Sequence, residues 1–317
     1  MRLSIFNFKP IRLVVIFLVG MVIAAGWLKM RVLEQAPKGL RPLTAAFWMT
    51  KTHTNKKFDV IVIGDSRVYR GISPSDMEEV LGEMAVFNFG YSSAGMSALL
   101  LNAGEEKLKK NGKKIIILGL TPYSLTSSAA LNEQYKELKK ALYWPYQTPG
   151  LPILMYPKET AWAVTYLLGF KVSPYHQIPH DNGWVESDNP SENIEAALDE
   201  YRQRFAKEKI SKELFNYLME KVQLWSEQGY TVFAFRPPVS EKMEQLENAK
   251  SGYDESWIKN EFSEAGGIWI DIENRYAYKT YDGSHLTSAS ARLLSKYIAK
   301  FVSDKTSSMG RDKKRIL

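Results

Sequence analysis

The residues of this sequence that could perform chemistry are one serine and one aspartate-histidine pair, far apart along the chain. Ser66 follows an apolar run in the segment VIVIGDSR, and Asp282 precedes His285 by three positions in DGSHL. A serine hydroxyl becomes a nucleophile when a base lies within hydrogen-bond reach, and a carboxylate on the other ring nitrogen of a histidine favours the tautomer that accepts a proton. Of the four histidines, His285 is the only one near the C-terminal end of a predicted strand. The joint occurrence indicates a serine-based site, although each motif alone is also common as a turn or a helix cap.

The elements that would bring these residues together belong to an α/β domain. From Phe58 onward, short apolar strands alternate with amphipathic helices, which is typical of a parallel sheet with helices on both faces. The carboxyl ends of such strands share one edge, so residues after the first strand and before the last helix can meet there. The alternation lapses between about 122 and 208, where aromatic residues and prolines are frequent. We predict one α/β domain over 58–303, with an insertion at about 122–208.

Composition narrows the class of protein. With 317 residues and 45% hydrophobic content the chain can bury a core, and the absence of cysteine excludes disulfides, thiolate catalysis and cysteine zinc sites. Part of the net charge of +7 lies at the two ends, so nucleic acid is not a predicted partner. His176 and His180 have a spacing seen in metal ligands, but Pro179 interrupts the helix that would present them together. No metal and no cofactor is predicted.

The N-terminal segment resembles a membrane-targeting sequence. Residues 13–28, LVVIFLVGMVIAAGWL, carry no charge and are slightly fewer than the roughly 20 residues of a standard span. A retained anchor and a cleaved signal peptide both fit, since IAAG offers small residues for cleavage, whereas Lys29 and Arg31 disfavour it. We predict an anchor over 1–30 that contacts the membrane through residues 13–28, a tether over 31–57 and a basic tail over 304–317. The domain would then be extracytoplasmic, on a bacterial inner membrane facing the periplasm or on the cell surface.

Three segments resemble a known family. GDSR (64–67), NFGYSSAG (88–95) and DGSHL (282–286) are similar to the first, second and last blocks of the SGNH, or GDSL-type, hydrolase superfamily. The resemblance implies a flavodoxin-like three-layer α/β/α fold with a central parallel sheet. It also implies Ser66 as nucleophile, His285 as base and Asp282 as the residue that orients it, with the backbone amides of Ser66 and Gly90 as oxyanion donors. The G-x-S-x-G turn of the other large serine hydrolase fold is absent.

The sequence departs from the family at the third block. Gly119 is present in IIILGLTPYS, but Thr121 stands where the family has an asparagine that donates to the oxyanion. Either the Thr121 hydroxyl replaces that donor or the oxyanion hole has only two donors. By architecture, the chain resembles membrane-anchored proteins of envelope polymer acylation, such as D-alanine transfer proteins of teichoic acid assembly and alginate O-acetylation proteins.

Two arginines are candidates for substrate binding. Arg67 adjoins Ser66, and Arg236 follows the predicted strand TVFAF, so both are expected at the same edge of the sheet. A guanidinium there could bind a carboxylate or phosphate. Arg70 is a weaker candidate of the same kind, and surface ion pairs are the alternative for all three.

Two functions remain open at this stage. The first is a membrane-anchored serine acyl esterase or O-acyltransferase that acts on an envelope glycan or lipid through an acyl-serine, for which a multi-pass acyltransferase is a candidate partner. The second is a non-catalytic binding or assembly protein for a cell-envelope polysaccharide, motivated by Thr121. Hydrolysis and transfer share the acyl-enzyme, so the sequence does not separate them, and it does not identify the acyl group, the acceptor or the oligomeric state.

Overall fold

A parallel sheet forms the centre of the molecule. The computed structural model describes residues 45–144, 175–190 and 193–316, together with 12–21, 23, 24, 27, 165, 166 and 168. The strands are β1 (Val60–Gly64), β2 (Val86–Gly90), β3 (Ile115–Gly119), β4 (His176–Pro179), β5 (Val185–Asp188), β6 (Thr231–Phe235) and β7 (Ile268–Trp269). Five pair in parallel in the order β2-β1-β3-β6-β7, while β4 and β5 form an antiparallel hairpin. This order is that of a doubly wound, flavodoxin-like sheet, which confirms the α/β part of the predicted fold class.

The sequences of the central strands explain why they lie inside. The strands β1, β2 and β3 read VIVIG, VFNFG and IIILG, and every residue in them is buried. Strands covered on both faces have near-continuous apolar runs instead of an apolar-polar alternation. The layers above and below the sheet therefore have to be helical.

Helices cover both faces of the sheet. They are α1 (Ala45–His53), α2 (Ser66–Gly71), α3 (Pro74–Leu81), α4 (Ala98–Glu105), α5 (Ser127–Ala130), α6 (Glu133–Lys140), α7 (Ile194–Lys207), α8 (Lys212–Glu227), α9 (Glu241–Lys250), α10 (Glu255–Glu264) and α11 (Ser288–Ile316). Ile61 and Ile63 pack in one apolar cluster with side chains of α4, α8 and α10. Val60 and Val62 pack in a second cluster with side chains of α2, α3 and α11. Three layers result, as predicted.

Two segments at the ends of the domain differ from the expected boundaries. Helix α1 lies within the predicted tether, yet its Met49 and Thr52 are buried and it packs on α6. Helix α11 continues to Ile316, into the predicted basic tail over 304–317. Val302 is the last of its residues in the apolar cluster, but residues 303–309 include no glycine or proline, so the helix continues through them.

The structure describes the predicted insertion and N-terminal anchor only in part. Helices α5, α6 and α7 and the β4–β5 hairpin belong to the insertion, and α7 packs on α9; residues 145–164 lie outside the described residues. Residues 12–21 are helical, and the remainder of the predicted anchor is described only at scattered positions. Among the described residues, none of the helices has both the length and the apolar character that crossing a bilayer requires.

Candidate active site

The turn after β1 fixes the position of Ser66. Asp65 is the N-cap of α2, and its carboxylate accepts a hydrogen bond from the Arg67 amide across 2.9 Å. Ser66 is therefore the first residue of the helix, at the carboxyl end of the strand. Gly64 allows this tight turn, because a Cβ there would lie 2.2 Å from Val68 Cγ2. The Ser66 side chain is half-buried.

The loop before α11 brings His285 to Ser66. The distance from His285 Nε2 to Ser66 Oγ is 2.8 Å, and the distance from His285 Nδ1 to Asp282 Oδ2 is 2.7 Å. The second oxygen, Asp282 Oδ1, accepts the amide hydrogens of Ser284 and His285 across 2.9 and 2.7 Å. Since a carboxylate only accepts, Nδ1 carries the ring hydrogen and Nε2 accepts from the Ser66 hydroxyl. The structure thus brings the three predicted residues together in one hydrogen-bonded chain.

The surroundings of His285 suit a base at neutral pH. Burial lowers the pKa of His285 below its ordinary value, and the positive charges of Arg70 and Arg67 act in the same direction, against the hydrogen bond to Asp282. Burial would raise the pKa of Asp282, but hydrogen bonds from the ring and amide of His285 and from the Ser284 amide hold that pKa below its usual range. The imidazole is therefore neutral and the carboxylate charged near pH 7.

Ser66 and His285 open onto a small cleft of about 160 Å³. The residues that line it are mostly polar or aromatic: Asp65, Ser66, Tyr69, Arg70, Ser92, Ser93, Tyr123, Glu200, Tyr201, Arg204 and His285. The wall opposite α2 comes from α7, which belongs to the insertion. A substrate ester placed in this cleft would meet the Ser66 hydroxyl directly.

Two backbone amides at the cleft are available as oxyanion donors. The Ser66 amide is at the free N-terminus of α2, and the Ser93 amide belongs to a residue with φ of 51° in the loop after β2. Neither amide donates to an acceptor among the described residues. Sequence reasoning missed Ser93, and nothing in SSAG signals that the second serine adopts a left-handed conformation.

The predicted donors Gly90 and Thr121 are corrected by the structure. The Gly90 amide donates to Asn88 Oδ1 across 3.0 Å, and this position is glycine because a Cβ would lie 2.6 Å from the Tyr69 nitrogen on α2. The Thr121 hydroxyl donates to Asp65 Oδ2 across 2.6 Å, and Thr121 is fully buried. Thr121 therefore supports the turn that carries Ser66 instead of replacing the asparagine.

Arg67 and Arg236 lie beneath the cleft and do not face it, which corrects their predicted role in substrate binding. Arg67 Nη2 lies 2.6 Å from Glu247 Oε1, and Arg236 Nη2 lies 3.1 Å from Glu247 Oε2. Arg67 and Arg236 are buried, and Glu247 is fully buried. Because one carboxylate binds both guanidinium groups away from solvent, a substrate anion has no access to either. Their physical role is to join α2, β6 and α9.

Two other arginines line the cleft. Arg70 lies one helical turn after Ser66 on α2, so the two side chains share a face. Arg204 comes from α7, pairs with Glu200 and lies 4.4 Å from the ring centroid of Tyr123. The sequence offered Arg70 only as a weaker candidate, and nothing in the amphipathic pattern of α7 marked Arg204.

His176 and His180, which have the spacing of metal ligands, lie at the start of β4 and directly after its end. His180 lies 3.1 Å from Glu186 and stacks on Trp184, which is buried and donates to the Arg70 carbonyl. His176 starts β4 with an exposed side chain. Within the described ranges, no cluster of three or more potential ligands could bind a metal ion.

Comparisons with known proteins found similarity only among solved structures. No protein-family model and no curated protein matches the chain. A protein assigned to the G-D-S-L lipolytic family, from Desulfitobacterium hafniense, has a TM-score of 0.37 and 10% identity over 76% of this chain and 97% of that one. A carbohydrate acetylesterase family member from Sinorhizobium meliloti has a TM-score of 0.36 and 10% identity, covering 77% and 97% of the two chains. The inhibitor-bound aryl esterase of M. smegmatis has a TM-score of 0.34 and 11% identity, covering 78% and 99%. Function is therefore inferred from the geometry of the site.

Proposed function

We propose that this chain is a serine acyl esterase or O-acyltransferase of the SGNH type. The observation that carries the proposal is the hydrogen-bonded chain from Ser66 Oγ through His285 to Asp282, with both bonds at 2.8 Å or less. Nucleophile, base and orienting carboxylate in this order are the arrangement that activates a serine for acyl transfer.

The geometry supports a two-step reaction. His285 Nε2 takes the proton of the Ser66 hydroxyl as Oγ attacks the ester carbonyl, and the amides of Ser66 and Ser93 bind the oxyanion of the tetrahedral intermediate. When the intermediate collapses, the ester C–O bond breaks and His285 gives its proton to the leaving alcohol, so that Ser66 carries the acyl group. Water or an acceptor hydroxyl then loses a proton to His285 and attacks the acyl-serine; the bond between the acyl carbon and Ser66 Oγ breaks, and His285 returns the proton to Oγ. Asp282 stabilises the imidazolium in both steps.

The lack of a third oxyanion donor should lower kcat. One oxyanion donor contributes about 2.7–4 kcal/mol in well-studied acyl transfer, which corresponds to a factor of about 10²–10³ in kcat. With Thr121 bound to Asp65, only two amide donors remain at the cleft among the described residues. We therefore expect slow turnover of simple esters, and a specific acceptor or substrate would have to compensate through binding.

The site of action that we propose is the cell envelope. The support is the uncharged segment 13–28: Arg2, Lys9 and Arg12 before it favour a cytoplasmic N-terminus, and Lys29 and Arg31 after it disfavour cleavage. An acylated envelope glycan or lipid would then be the substrate, and a multi-pass acyltransferase a partner. Protease accessibility of the domain in intact cells and in spheroplasts tests the orientation, since a cytoplasmic domain would be protected in both.

Hydrolysis of acetyl esters by the detergent-solubilised full-length chain tests the proposed chemistry. We expect measurable turnover of 4-nitrophenyl acetate that Ser66→Ala and His285→Ala abolish. The matched control is Ser263→Ala, at an exposed position on α10 that does not line the cleft, which should leave turnover unchanged. Equal turnover by the wild type and Ser66→Ala would refute the proposal.

A second candidate function is a non-catalytic envelope protein that binds a polysaccharide in the same cleft. The observation that favours it is the Thr121 hydroxyl, which is bound to Asp65 and leaves the oxyanion hole without a third donor. This candidate predicts that Ser66→Ala preserves function in cells. Loss of function in Ser66→Ala cells with normal protein levels would exclude it.

A further inference from the structure

Arg70 is a cation at the cleft whose hydrogen-bond partners are all neutral. Its Nε donates to the Tyr69 hydroxyl across 2.8 Å and its Nη1 donates to the Tyr281 hydroxyl, while the ring of Tyr175 lies 5.3 Å from the guanidinium carbon. Burial comes first among the causes that raise the pKa values of Tyr69 and Tyr281, so both phenols stay uncharged. Neither of these two phenols neutralises the guanidinium.

The other arginines of the domain differ from Arg70 because each of them has a carboxylate partner. Between residues 45 and 309, six arginines lie within 4.0 Å of a carboxylate oxygen: Arg67, Arg202, Arg204, Arg236, Arg275 and Arg292. Arg70 has no such partner among the described residues, although its side chain is half-buried. A charge withdrawn from water is unfavourable unless an opposite charge and hydrogen bonds compensate it. No carboxylate of the described residues compensates Arg70, so its charge is available to an anionic ligand in the cleft.

The carboxylates around the cleft already have hydrogen-bond or ion-pair partners other than Arg70. Asp65 accepts from Thr121 and from the Arg67 amide, and Asp282 accepts from His285. Glu200 is paired with Arg204 on the opposite wall. Each of these groups has its own donors, so none competes with a ligand for Arg70.

We propose that Arg70 binds a carboxylate or phosphate group of the ester substrate, so that the enzyme selects anionic esters. This inference rests on the proposed acyl-transfer function. Arg70 follows Ser66 by four residues on α2, which places an anion bound to it one helical turn from the nucleophile. The anionic group can belong to the acyl part or to the alcohol part of the ester; both present the same chemistry to a guanidinium.

Matched pairs of esters test the inference and distinguish the two sources of the anion. For the alcohol part, the pair is 4-acetoxybenzoate and its neutral methyl ester; for the acyl part, it is monophenyl glutarate and methyl phenyl glutarate. The quantity measured is kcat/KM for the anionic ester divided by kcat/KM for its neutral partner. In the wild type we expect this ratio to exceed 1 for one pair. Arg70→Gln should lower that ratio at least about tenfold, because a charge-assisted hydrogen bond to the anion is lost, and Arg70→Lys should retain part of it.

The control variant is Arg202→Gln, since Arg202 is an exposed arginine on α7 that pairs with Asp199; it should leave the ratio unchanged. An Arg70→Gln enzyme with the wild-type ratio for both pairs would overturn the inference while leaving the proposed function intact. If the wild type hydrolyses none of the four esters, 4-nitrophenyl acetate turnover and fluorophosphonate labelling of Ser66 decide the proposed function, and binding decides the inference separately. In that case, calorimetric titration of Ser66→Ala with the same four esters must show a preference for an anionic one that Arg70→Gln removes; equal binding with and without Arg70 overturns it.

Discussion

Arg67 Nε donates a hydrogen bond to Ser284 Oγ across 3.0 Å, so the residue after the proposed nucleophile holds the residue before the proposed base. The Tyr201 hydroxyl lies 3.1 Å from the same Ser284 oxygen. Behind this contact, Glu247 binds Arg67 and Arg236. The relative position of Ser66 and His285 therefore depends on a buried polar network that joins α2, the loop before α11, α7 and α9.

Ser284→Ala should weaken catalysis without weakening substrate binding. The substitution removes the acceptor of Arg67 Nε and releases the loop that carries His285, and small misplacements of catalytic groups can lower rates by up to about 100-fold. We expect kcat to fall by about 10-fold to 100-fold with KM nearly unchanged, measured with 4-nitrophenyl acetate. An unchanged kcat would show that the Arg67 contact does not position the base.

Glu247→Gln should destabilise the fold far more than Glu200→Gln. Removing one member of a buried ion pair leaves an uncompensated charge and typically lowers the free energy of unfolding by about 3–5 kcal/mol. Glu247 is fully buried between two guanidinium groups, whereas the Glu200 side chain is 58% exposed, and exposed pairs contribute about 0–1 kcal/mol. Urea unfolding of both variants measures the difference. Equal losses would mean that the Glu247 network is not a determinant of stability.

The pH dependence of kcat/KM should have its acid limb below pH 6.5, the ordinary pKa of histidine. Protonation of His285 removes the base, so activity is lost as the pH falls through the pKa of His285, and burial lowers that pKa. Arg70→Gln removes a positive charge that acts in the same direction and should move the limb upward. A neutral ester without titratable groups, such as 4-nitrophenyl acetate, assigns the limb to the enzyme. An acid limb above pH 6.5 in the wild type would contradict this assignment.

The oxyanion assignment predicts a contrast between Ser93 and Thr121. Ser93→Gly keeps the backbone amide and suits a φ of 51°, so turnover should stay within about threefold of the wild type. Ser93→Val is incompatible with that φ and should lower kcat by about 10-fold or more. Thr121→Val leaves Asp65 Oδ2 without its donor and should lower the free energy of unfolding by about 1–3 kcal/mol.

A larger kcat loss in Thr121→Val than in Ser93→Val would restore Thr121 as the oxyanion donor. Steady-state kinetics and urea unfolding of the three variants, measured side by side, distinguish the two assignments.

The strands and the meeting of the three site residues could be predicted from the sequence because they depend on periodicity, local motifs and the topology of the sheet. Apolar runs such as VIVIG and IIILG specify buried parallel strands. The meeting of Ser66 with the pair Asp282 and His285 followed from the shared edge of the sheet. These features are encoded by residues close together in the chain or by the topology of the fold.

What the sequence did not predict depends on where side chains point. The buried partner Glu247 explains why Arg67 and Arg236 turn away from the cleft, and it lies 180 positions from Arg67. The direction of the Thr121 hydroxyl is decided by Asp65, and the loop that carries Ser93 is held by Gln134 and Asn132, whose side chains accept from the Ser92 and Gly95 amides. Such choices arise from tertiary contacts and leave no local pattern.

The most direct test of the central claim is labelling of the full-length chain with a fluorophosphonate, followed by peptide mass spectrometry. A serine activated by His285 forms a covalent phosphonyl ester, whereas an ordinary serine does not react. We predict a stoichiometric adduct on the peptide that contains Ser66, and no adduct in His285→Ala. An unlabelled Ser66 in the folded wild-type chain, or an adduct that persists in His285→Ala, would contradict the account.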